Sequence, residues 1–505
     1  MAFPEWVERQ KKQGQEIKEI RGLYYVYERK SKWDPSRKKA KKVTGEYIGK
    51  LTPDGIVPKK KKINASEPVR SIEYGASRFL AETVGDLLET LEKHFDKDEA
   101  ERIWVAAMLK LIFPCPFRRL GNRYETSVLS LMLPGLAMSP ASITGLLDRV
   151  GRDRGACAAF MRGAMEPSPY ILIDGTGTQP PSDGTDMALP GHSKRHGFLP
   201  QVNQVNQVYV MSVSEGGGMP AFYRNVAGNI PDVTAFELTV EDAGIEGATI
   251  VADAGFASGP NFDMLADSSL SYVVPLKRNT SEIDLSAISY EGVFIYHHRA
   301  ISSHTENRDG YRICVFRDEK LRADEMADFV GRGEKANATA QKRRGFDPEK
   351  DLRDVPGDTS AKLASFGTII LRTSLMDALP QDVYGTYKLR WQIEQLFDTM
   401  RNTCGLDTSS MQDDEGFDAW SFINHVTLIA ACRVLALVRQ KKLAKEYSLS
   451  GVMDFLSRVH MVQVAGEWKM AEVTKKAKEM VADLGIDLGT DKIDWSHKAV
   501  TKPMT

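Results

Sequence analysis

Apolar and polar residues alternate along the chain with two different periods, and each change of period marks a change in predicted structure. Segments 22–30 and 43–55 alternate every two residues, which predicts two β-strands, and a Pro-Asp-Gly turn closes the second one. A basic loop is expected between them. From Ile72 to residue 165 the apolar residues recur every three or four positions, so this region is predicted to be mostly helical. Ser139 followed by Pro140 is typical of an N-cap and the first position of a helix.

After residue 168, short apolar runs alternate with helical segments. The apolar strands at 169–176 and 248–256 each lead to an acid, and another strand is predicted at 271–279. Strands that lead into a helix and return to a strand indicate an α/β domain with a mixed sheet. Between residues 279 and 374 further strands, among them "GVFIYHHRAI" (292–301), surround a polar helical stretch. We interpret that region as a β-rich insertion in the α/β domain.

A predicted amphipathic helix, "YKLRWQIEQLFDTMRN" (387–402), follows the insertion. At about 100° per residue, its polar residues fall within an arc of roughly 60° on one face, and these are Tyr387, Arg390, Glu394 and Arg401. The opposite face is apolar and can pack on a core. Taken alone, the polar face is explained equally well by a solvated Arg390–Glu394 ion pair and by a functional site.

The composition is that of an ordinary folded protein. The 505 residues are 42% hydrophobic and 27% charged, which is enough for several domains and a substantial core. No uncharged apolar run of about 18 residues occurs, and the N-terminus lacks the apolar stretch of a secretory signal. These features predict a cytoplasmic protein without a membrane partner. The five cysteines have no CxxC spacing, which favours reduced, packed side chains over a zinc site or a disulfide framework.

The net charge of −1 gives no sign of a polyanionic partner, but the distribution of charge does. Basic residues are concentrated between Arg29 and Lys62, and the run includes Lys38, Lys39, Lys41 and Lys42. A local basic field of this kind can follow a phosphate backbone, because neutralising phosphates releases condensed counterions. The alternative is a solvated basic loop.

Three acids stand out by their positions. Asp174 and Asp253 each end an apolar strand, and Glu394 faces outward from the amphipathic helix. Carboxylates that converge from separate segments repel one another unless cations lie between them, and hard oxygen ligands suit Mg²⁺ or Mn²⁺. Two such ions activate a nucleophile and stabilise the leaving oxygen in an attack on a phosphodiester. Taken singly, each Asp is more often a turn or cap residue than part of a site.

The motifs "ILIDGT", "VAGNIPD", "VADAGFAS" and "YKLRWQIEQLF" occur in this order, and together they resemble the insertion-sequence transposases of the DDE class, family-four type. Those proteins share a signature of Tyr, two residues, Arg, three residues, Glu, six residues and Lys. Tyr387, Arg390 and Glu394 match it, with Arg401 at the Lys position. The stretch "GHSKRHGFLPQVNQ" (191–204) is similar to a Gly-x-Ser-Lys segment of one branch.

The resemblance implies an RNase H-like catalytic domain that binds two Mg²⁺ or Mn²⁺ ions through Asp174, Asp253 and Glu394. It implies that Arg390 and Arg401 contact phosphates near the cleaved bond and that Tyr387 helps to position DNA. Arg in place of Lys at position 401 keeps the charge but replaces a point cation with a planar fork. Lys194 and Arg195, in the segment 191–204, are expected to lie on a basic surface loop that contacts DNA. The same role is expected of the four N-terminal lysines.

The predicted protein is a DNA transposase that binds terminal inverted repeats, cleaves the DNA ends and transfers the 3′-OH ends to target DNA as a homodimer. One alternative is an RNase H-like nuclease or recombinase without transposition. Another is a domesticated DNA-binding protein without catalysis, although all three acids are retained. The predicted organisation is a basic N-terminal β element (1–70), a helical DNA-end-binding region (71–165), the catalytic domain (166–278 and 375–440), the β-rich insertion (279–374) and a C-terminal helical region (441–505).

Overall fold

The computed structural model describes residues 3–34, 38–58, 69–178, 186–190, 203–214, 217–228, 230, 232–344, 364–406, 409–464 and 467–488. The chain divides into two compact units. The first comprises Met1–Ser71 with Val462–Lys469, and the second comprises Ile72–Met461 with Met470–Thr505.

The first unit is built around an antiparallel sheet whose strands follow one another in chain order. A short helix, α1 (Glu5–Gln10), precedes the strands β1 (Gln15–Ile20), β2 (Leu23–Asp34), β3 (Lys39–Thr52) and β4 (Gly55–Pro58). Its core consists of the buried side chains Val7, Ile17, Val26 and Leu51. Both predicted N-terminal strands are therefore confirmed.

The prediction of a basic loop between those strands is wrong. β2 continues to Asp34 and β3 begins at Lys39, so the lysine-rich segments pair as a two-stranded ribbon. The residues of this ribbon are exposed on both faces. A strand that buries neither face shows no apolar alternation, which is why its sequence gave no strand signal.

The second unit begins with the predicted helical region, which follows a short strand that was not predicted. After β5 (Arg70–Glu73), the helices are α2 (Gly75–Val84), α3 (Asp86–Leu91), α4 (Lys97–Ile112), α5 (Leu120–Glu125), α6 (Leu129–Met132), α7 (Pro140–Arg152) and α8 (Arg154–Ala164). Helix α7 has the predicted start, because the hydroxyl of Ser139 accepts a hydrogen bond from the backbone N–H of Ser142 and Pro140 occupies the first turn.

The α/β region is a mixed sheet. Its strands and helices are β6 (Tyr170–Thr178), β7 (Leu189–Pro190), β8 (Asn203–Ser214), β9 (Gly217–Ala227), α9 (Asp232–Ala243), β10 (Thr249–Ala252), α10 (Gly259–Asp267) and β11 (Ser271–Leu276). The spatial order of five of these strands is β9-β8-β6-β10-β11. β8 is antiparallel to both of its neighbours, β9 and β6, whereas β10 runs parallel to both β6 and β11. This order and orientation are the RNase H-like arrangement.

Strands of the predicted insertion extend the same sheet. They are β12 (Gly292–Tyr296), β13 (Arg299–Asn307), β14 (Arg312–Asp318) and β15 (Thr368–Thr373), and the helix α11 (Glu319–Arg344) lies between the last two. β15 pairs with β11, so the ten-stranded sheet is continuous. His297 and His298 were expected within one strand, but both have positive φ and form the turn between β12 and β13.

The predicted helix 387–402 is interrupted. It consists of the end of α12 (Pro380–Lys388), a turn at Leu389 and Arg390, α13 (Trp391–Asp398), and a π-helical turn (Thr399–Thr403). The expected apolar face nevertheless packs on the core, since Ile393, Leu396, Phe397 and Met400 are buried.

The last part of the second unit contains a long apolar helix, α14 (Asp414–Gln440). Its length and composition alone would allow it to cross a membrane, but 78% of its most apolar window is buried within the protein. It packs against α4, α7 and β9, which makes it a core helix. The chain continues through α15 (Leu449–Ser457), β16 (His460–Val464), β17 (Glu467–Met470) and α16 (Lys475–Leu484).

Candidate active site

Asp174 was expected to end its strand, but β6 continues to Thr178 and Asp174 is its fifth residue. It comes directly after the fully buried residues Leu172 and Ile173. Its side chain is 13% exposed. One carboxylate oxygen, Oδ1, accepts a hydrogen bond of 2.8 Å from the backbone N–H of Gly175. The apolar start of the strand thus fixes the position at which this acid emerges from the sheet.

Asp253 reaches the same edge of the sheet through the neighbouring strand. β10 is parallel to β6, with Ala252 opposite Ile173. In both segments the residue that follows this pair is an acid, so Asp253 lies beside Asp174. The side chain of Asp253 is 45% exposed and caps no helix by hydrogen bonding.

Glu394 is brought to these acids by the packing of α13. The ring of Phe397 contacts the ring of Tyr209 edge-on, with 5.8 Å between centroids. Tyr209 is the direct cross-strand partner of Asp174 in the β6–β8 ladder, so both side chains lie on the same face of the sheet. The buried side of α13 therefore holds Glu394, which is 49% exposed, over the face that carries Asp174.

Arg390 joins all three acids. Its Nη2 atom lies 3.2 Å from Oδ2 of Asp174 and 3.3 Å from Oδ1 of Asp253, and its Nη1 atom lies 2.9 Å from Oε1 of Glu394. The guanidinium is 21% exposed. The Arg390–Glu394 pair foreseen from the sequence is present, and it is one part of a four-residue cluster.

The electrostatics of this cluster reflect partial burial. Burial raises the pKa of Asp174 to about 6, with Arg390 opposing the shift and the charges of Asp253 and Glu394 adding to it. Burial lowers the pKa of Arg390, but the surrounding acids outweigh that effect and the pKa lies above its usual value. Three carboxylates are thus held together by one cation, with negative charge in excess.

Arg401 lies at the edge of the same site, on the π-helical turn. Its Nη2 atom donates a 2.7 Å hydrogen bond to the hydroxyl of Thr176. Thr176 was missed by the sequence reasoning. The two-residue period of a strand could have identified Thr176, because it places positions 174 and 176 on one face.

The remaining predicted residues have different surroundings. Tyr387 is half-buried beside Arg390, and burial raises the pKa of its hydroxyl while Arg390 opposes the shift. Lys38, Lys39, Lys41 and Lys42 are exposed in the first unit. Lys194 and Arg195 lie outside the described residues. Tyr296, an aromatic residue of the insertion, packs against Tyr384 with 5.1 Å between ring centroids.

Within the described part of the chain, no group of three or more His, Cys, Asp or Glu side chains is spaced so as to hold a metal ion. Arg390 lies within ion-pair distance of all three carboxylates. Their oxygens are nevertheless hard donors with unbalanced negative charge, which is the donor set that Mg²⁺ and Mn²⁺ prefer.

Comparison with known proteins identifies a family and several similar solved structures. The family model of the transposase DDE domain matches residues 169–430, a span that contains all three acids and just over half of the chain. No curated protein matches the sequence. A piggyBac transposase, solved by cryo-electron microscopy as a synaptic complex with hairpin DNA, is similar to the chain with a TM-score of 0.38 and 12% identity, over 76% of this chain and 80% of that chain.

Proposed function

The chain belongs to the transposase DDE domain family, and from that premise we propose that it catalyses the cutting and joining of the ends of its own DNA element. The observation that carries the proposal is the convergence of Asp174, Asp253 and Glu394 on the guanidinium of Arg390. These acids come from the middle of β6, the residue after β10 and a helix, which are far apart in sequence. A merely solvated helix face would require only the local Arg390–Glu394 pair.

The proposed reaction has two steps. Water attacks the phosphorus at the end of the element, the bond to the 3′ oxygen breaks, and a free 3′-OH results. That hydroxyl then attacks a phosphorus of target DNA, forming a new phosphodiester and releasing a target 3′-OH. Both steps break a P–O bond to a 3′ oxygen and form a P–O bond to the attacking oxygen, so one site serves for both.

Asp174, Asp253 and Glu394 are the residues that would hold the metal ions which DDE transposases generally use. Two Mg²⁺ or Mn²⁺ ions supply activation of the attacking oxygen and charge stabilisation of the leaving oxygen. Arg390 would then exchange its carboxylate partners for a DNA phosphate, which accepts a bidentate contact from a guanidinium. Arg401, next to Thr176, supplies a second cation at the same edge, and Tyr387 positions the backbone.

The proposed partner is double-stranded DNA, both as terminal inverted repeats and as target. Two ends have to be joined in one event, so the active assembly would be a homodimer. The lysines at positions 38, 39, 41 and 42, together with Lys194 and Arg195, supply charge for these contacts. A cytoplasmic location in association with the nucleoid is proposed on the same grounds.

The test is cleavage and strand transfer with the purified chain, Mg²⁺ or Mn²⁺, and DNA taken from the two flanks of its own coding sequence. We expect Asp174→Asn and Glu394→Gln to lose both reactions by at least a hundredfold, since each removes a charged oxygen ligand. Asp263→Asn, on the exposed side of α10, is the matched control and should remain active. If both site variants cut like wild type, the assignment of the site is wrong. Cleavage without strand transfer would favour a nuclease.

A further inference from the structure

The lysine-rich ribbon of the first unit pairs with no third strand among the described residues of that unit. It consists of residues 29–34 of β2 and 39–44 of β3, which pair directly from Arg29 opposite Thr44 to Asp34 opposite Lys39. β1 pairs with β2 only as far as Glu28, and β4 pairs with β3 only from Gly49. Within the described residues of this unit, no third strand lies beside these two segments. At about 3.4 Å per residue the ribbon is roughly 20 Å long.

The two faces of the ribbon differ in chemistry. Cross-strand partners and alternate residues share a face. Lys30, Lys32, Lys39 and Lys41 therefore share one face with positions 34 and 43, and we call it the lysine face. The other face carries Trp33, which is 61% exposed and whose direct partner is the small residue Ala40. The pairs Ser31–Lys42 and Arg29–Thr44 lie further along that face.

The lysine face is unfavourable in isolation. Lys32 and Lys41 are direct cross-strand partners, and like charges in that position destabilise a ladder. Segments 29–34 and 38–44 contain seven basic residues and a single acid. A two-stranded ribbon without a covered face is also only marginally stable in water. Both features disfavour a free ribbon and would be relieved by a polyanion along its length.

We propose that this ribbon is an arm that enters a groove of duplex DNA, with Trp33 against sugar or base edges and the lysine face at the phosphates. A major groove about 12 Å wide admits a two-stranded β-ribbon. Long lysine side chains extend from the outer face to the groove walls, while an indole makes apolar contact without adding charge. The inference rests on the proposed function, because it assumes that DNA is the partner, but it assigns the recognition element to the first unit.

The arm is tested with the full chain by fluorescence anisotropy on labelled duplex DNA over a range of salt concentrations. We expect the double variant Lys32→Ala and Lys41→Ala to bind at least tenfold more weakly at about 0.1 M salt and to lower the slope of log affinity against log salt by about 2. The double variant Lys11→Ala and Lys12→Ala removes the same charge from exposed positions of the same unit outside the ribbon, and it should bind like wild type.

Trp33→Ala separates the aromatic contact from the charge. It should weaken binding about tenfold with an unchanged salt slope, and Trp33→Phe should restore most of the affinity. If the ribbon variants bind duplex DNA with the affinity and the salt slope of the wild-type chain, the proposed arm is wrong. A loss confined to single-stranded DNA or RNA would overturn the duplex assignment. If the wild-type chain does not bind duplex DNA, the proposed function is contradicted. If the wild-type chain cleaves DNA and the ribbon variants bind DNA as it does, only the arm is contradicted.

Discussion

The Nη2 atom of Arg390 lies 3.2 Å from the Oδ2 atom of Asp174, although 216 positions separate the two residues in sequence. The same nitrogen lies 3.3 Å from Asp253, and the other terminal nitrogen contacts Glu394. Arg390 is therefore the shared ion-pair partner of all three carboxylates. A guanidinium in this position offsets the mutual repulsion of the three acids.

Replacing Arg390 should change metal binding and DNA cleavage in opposite directions. Arg390→Ala removes the cation that competes for the three carboxylates, so Mn²⁺ should bind the DNA-free chain about tenfold more tightly. Cleavage should fall, because the phosphate contact is lost, and the salt slope of DNA binding should decrease by about 1. Calorimetry with Mn²⁺ and a cleavage assay measure the two effects.

Arg401→Ala is the matched control for that experiment. Arg401 contacts Thr176 and none of the three acids, so its removal should leave Mn²⁺ affinity unchanged. Unchanged Mn²⁺ affinity and an unchanged salt slope in Arg390→Ala would mean that Arg390 serves only as an ion-pair partner.

The Arg401–Thr176 hydrogen bond should be measurable as a coupling energy. Thr176→Val keeps the side-chain shape and removes the acceptor for Nη2 of Arg401. We expect a coupling energy of about 1 kcal/mol in a double-mutant cycle with Arg401→Gln, measured by urea unfolding. The value is modest because Arg401 is exposed to solvent. Arg401→Lys should retain cleavage within a fewfold, since the charge remains. Additive single effects would show that the two side chains act independently.

Glu73 should make the protein less stable as pH rises from acid to neutral. Its carboxylate is buried and accepts hydrogen bonds from the N–H groups of Ala76 and Ser77 and from the Ser77 hydroxyl. Burial raises its pKa to about 7 from an ordinary value of 4.5. Between those values the folded state holds a proton that the unfolded chain has lost, so about 3 kcal/mol of stability present below pH 4.5 disappears by pH 7.

Glu73→Gln should abolish this pH dependence, because an amide stays neutral. Urea unfolding from pH 4.5 to 8 compares the variant with wild type and with Glu89→Gln, an exposed glutamate of α3 that should retain the wild-type profile. An unchanged profile in Glu73→Gln would assign the pH dependence to another group.

His425 should act in the opposite direction. Its ring is completely buried in α14, stacks against Tyr209 and Tyr223, and has no hydrogen-bond partner for either nitrogen among the described residues. Burial lowers its pKa from 6.5 to about 3. Below pH 6.5 the unfolded chain binds a proton at this residue and the folded state does not. The free energy of unfolding should therefore fall by about 2 kcal/mol between pH 7 and pH 5.

Two substitutions separate charge from packing at this position. His425→Phe should remove the acid sensitivity and stabilise the protein by about 1 kcal/mol at pH 7, because an unpaired buried N–H is replaced by an apolar edge. His425→Gln should remove the acid sensitivity without that gain. Thermal unfolding at pH 5 and pH 7 distinguishes them, and a wild-type pH response in both variants would contradict the assignment.

The sequence by itself determined the helical region, the placement of Asp174 and Asp253 directly after apolar strand residues, and the amphipathic character of the segment that carries Glu394. These features follow from local periodicity and from the placement of charge after apolar runs, which a short window of residues expresses completely. The lysine-rich ribbon and the His297–His298 turn were not foreseen, because exposed strands and positive-φ turns leave no apolar pattern.

Only the tertiary structure decided which residues meet. Parallel pairing of β10 with β6 puts Asp253 beside Asp174, and the contact of Phe397 with Tyr209 sets Glu394 over the same face. The turn at Leu389 and Arg390 then lets one guanidinium reach all three carboxylates. Register and packing between distant segments fix these distances, and neither is encoded in the local pattern of any one segment.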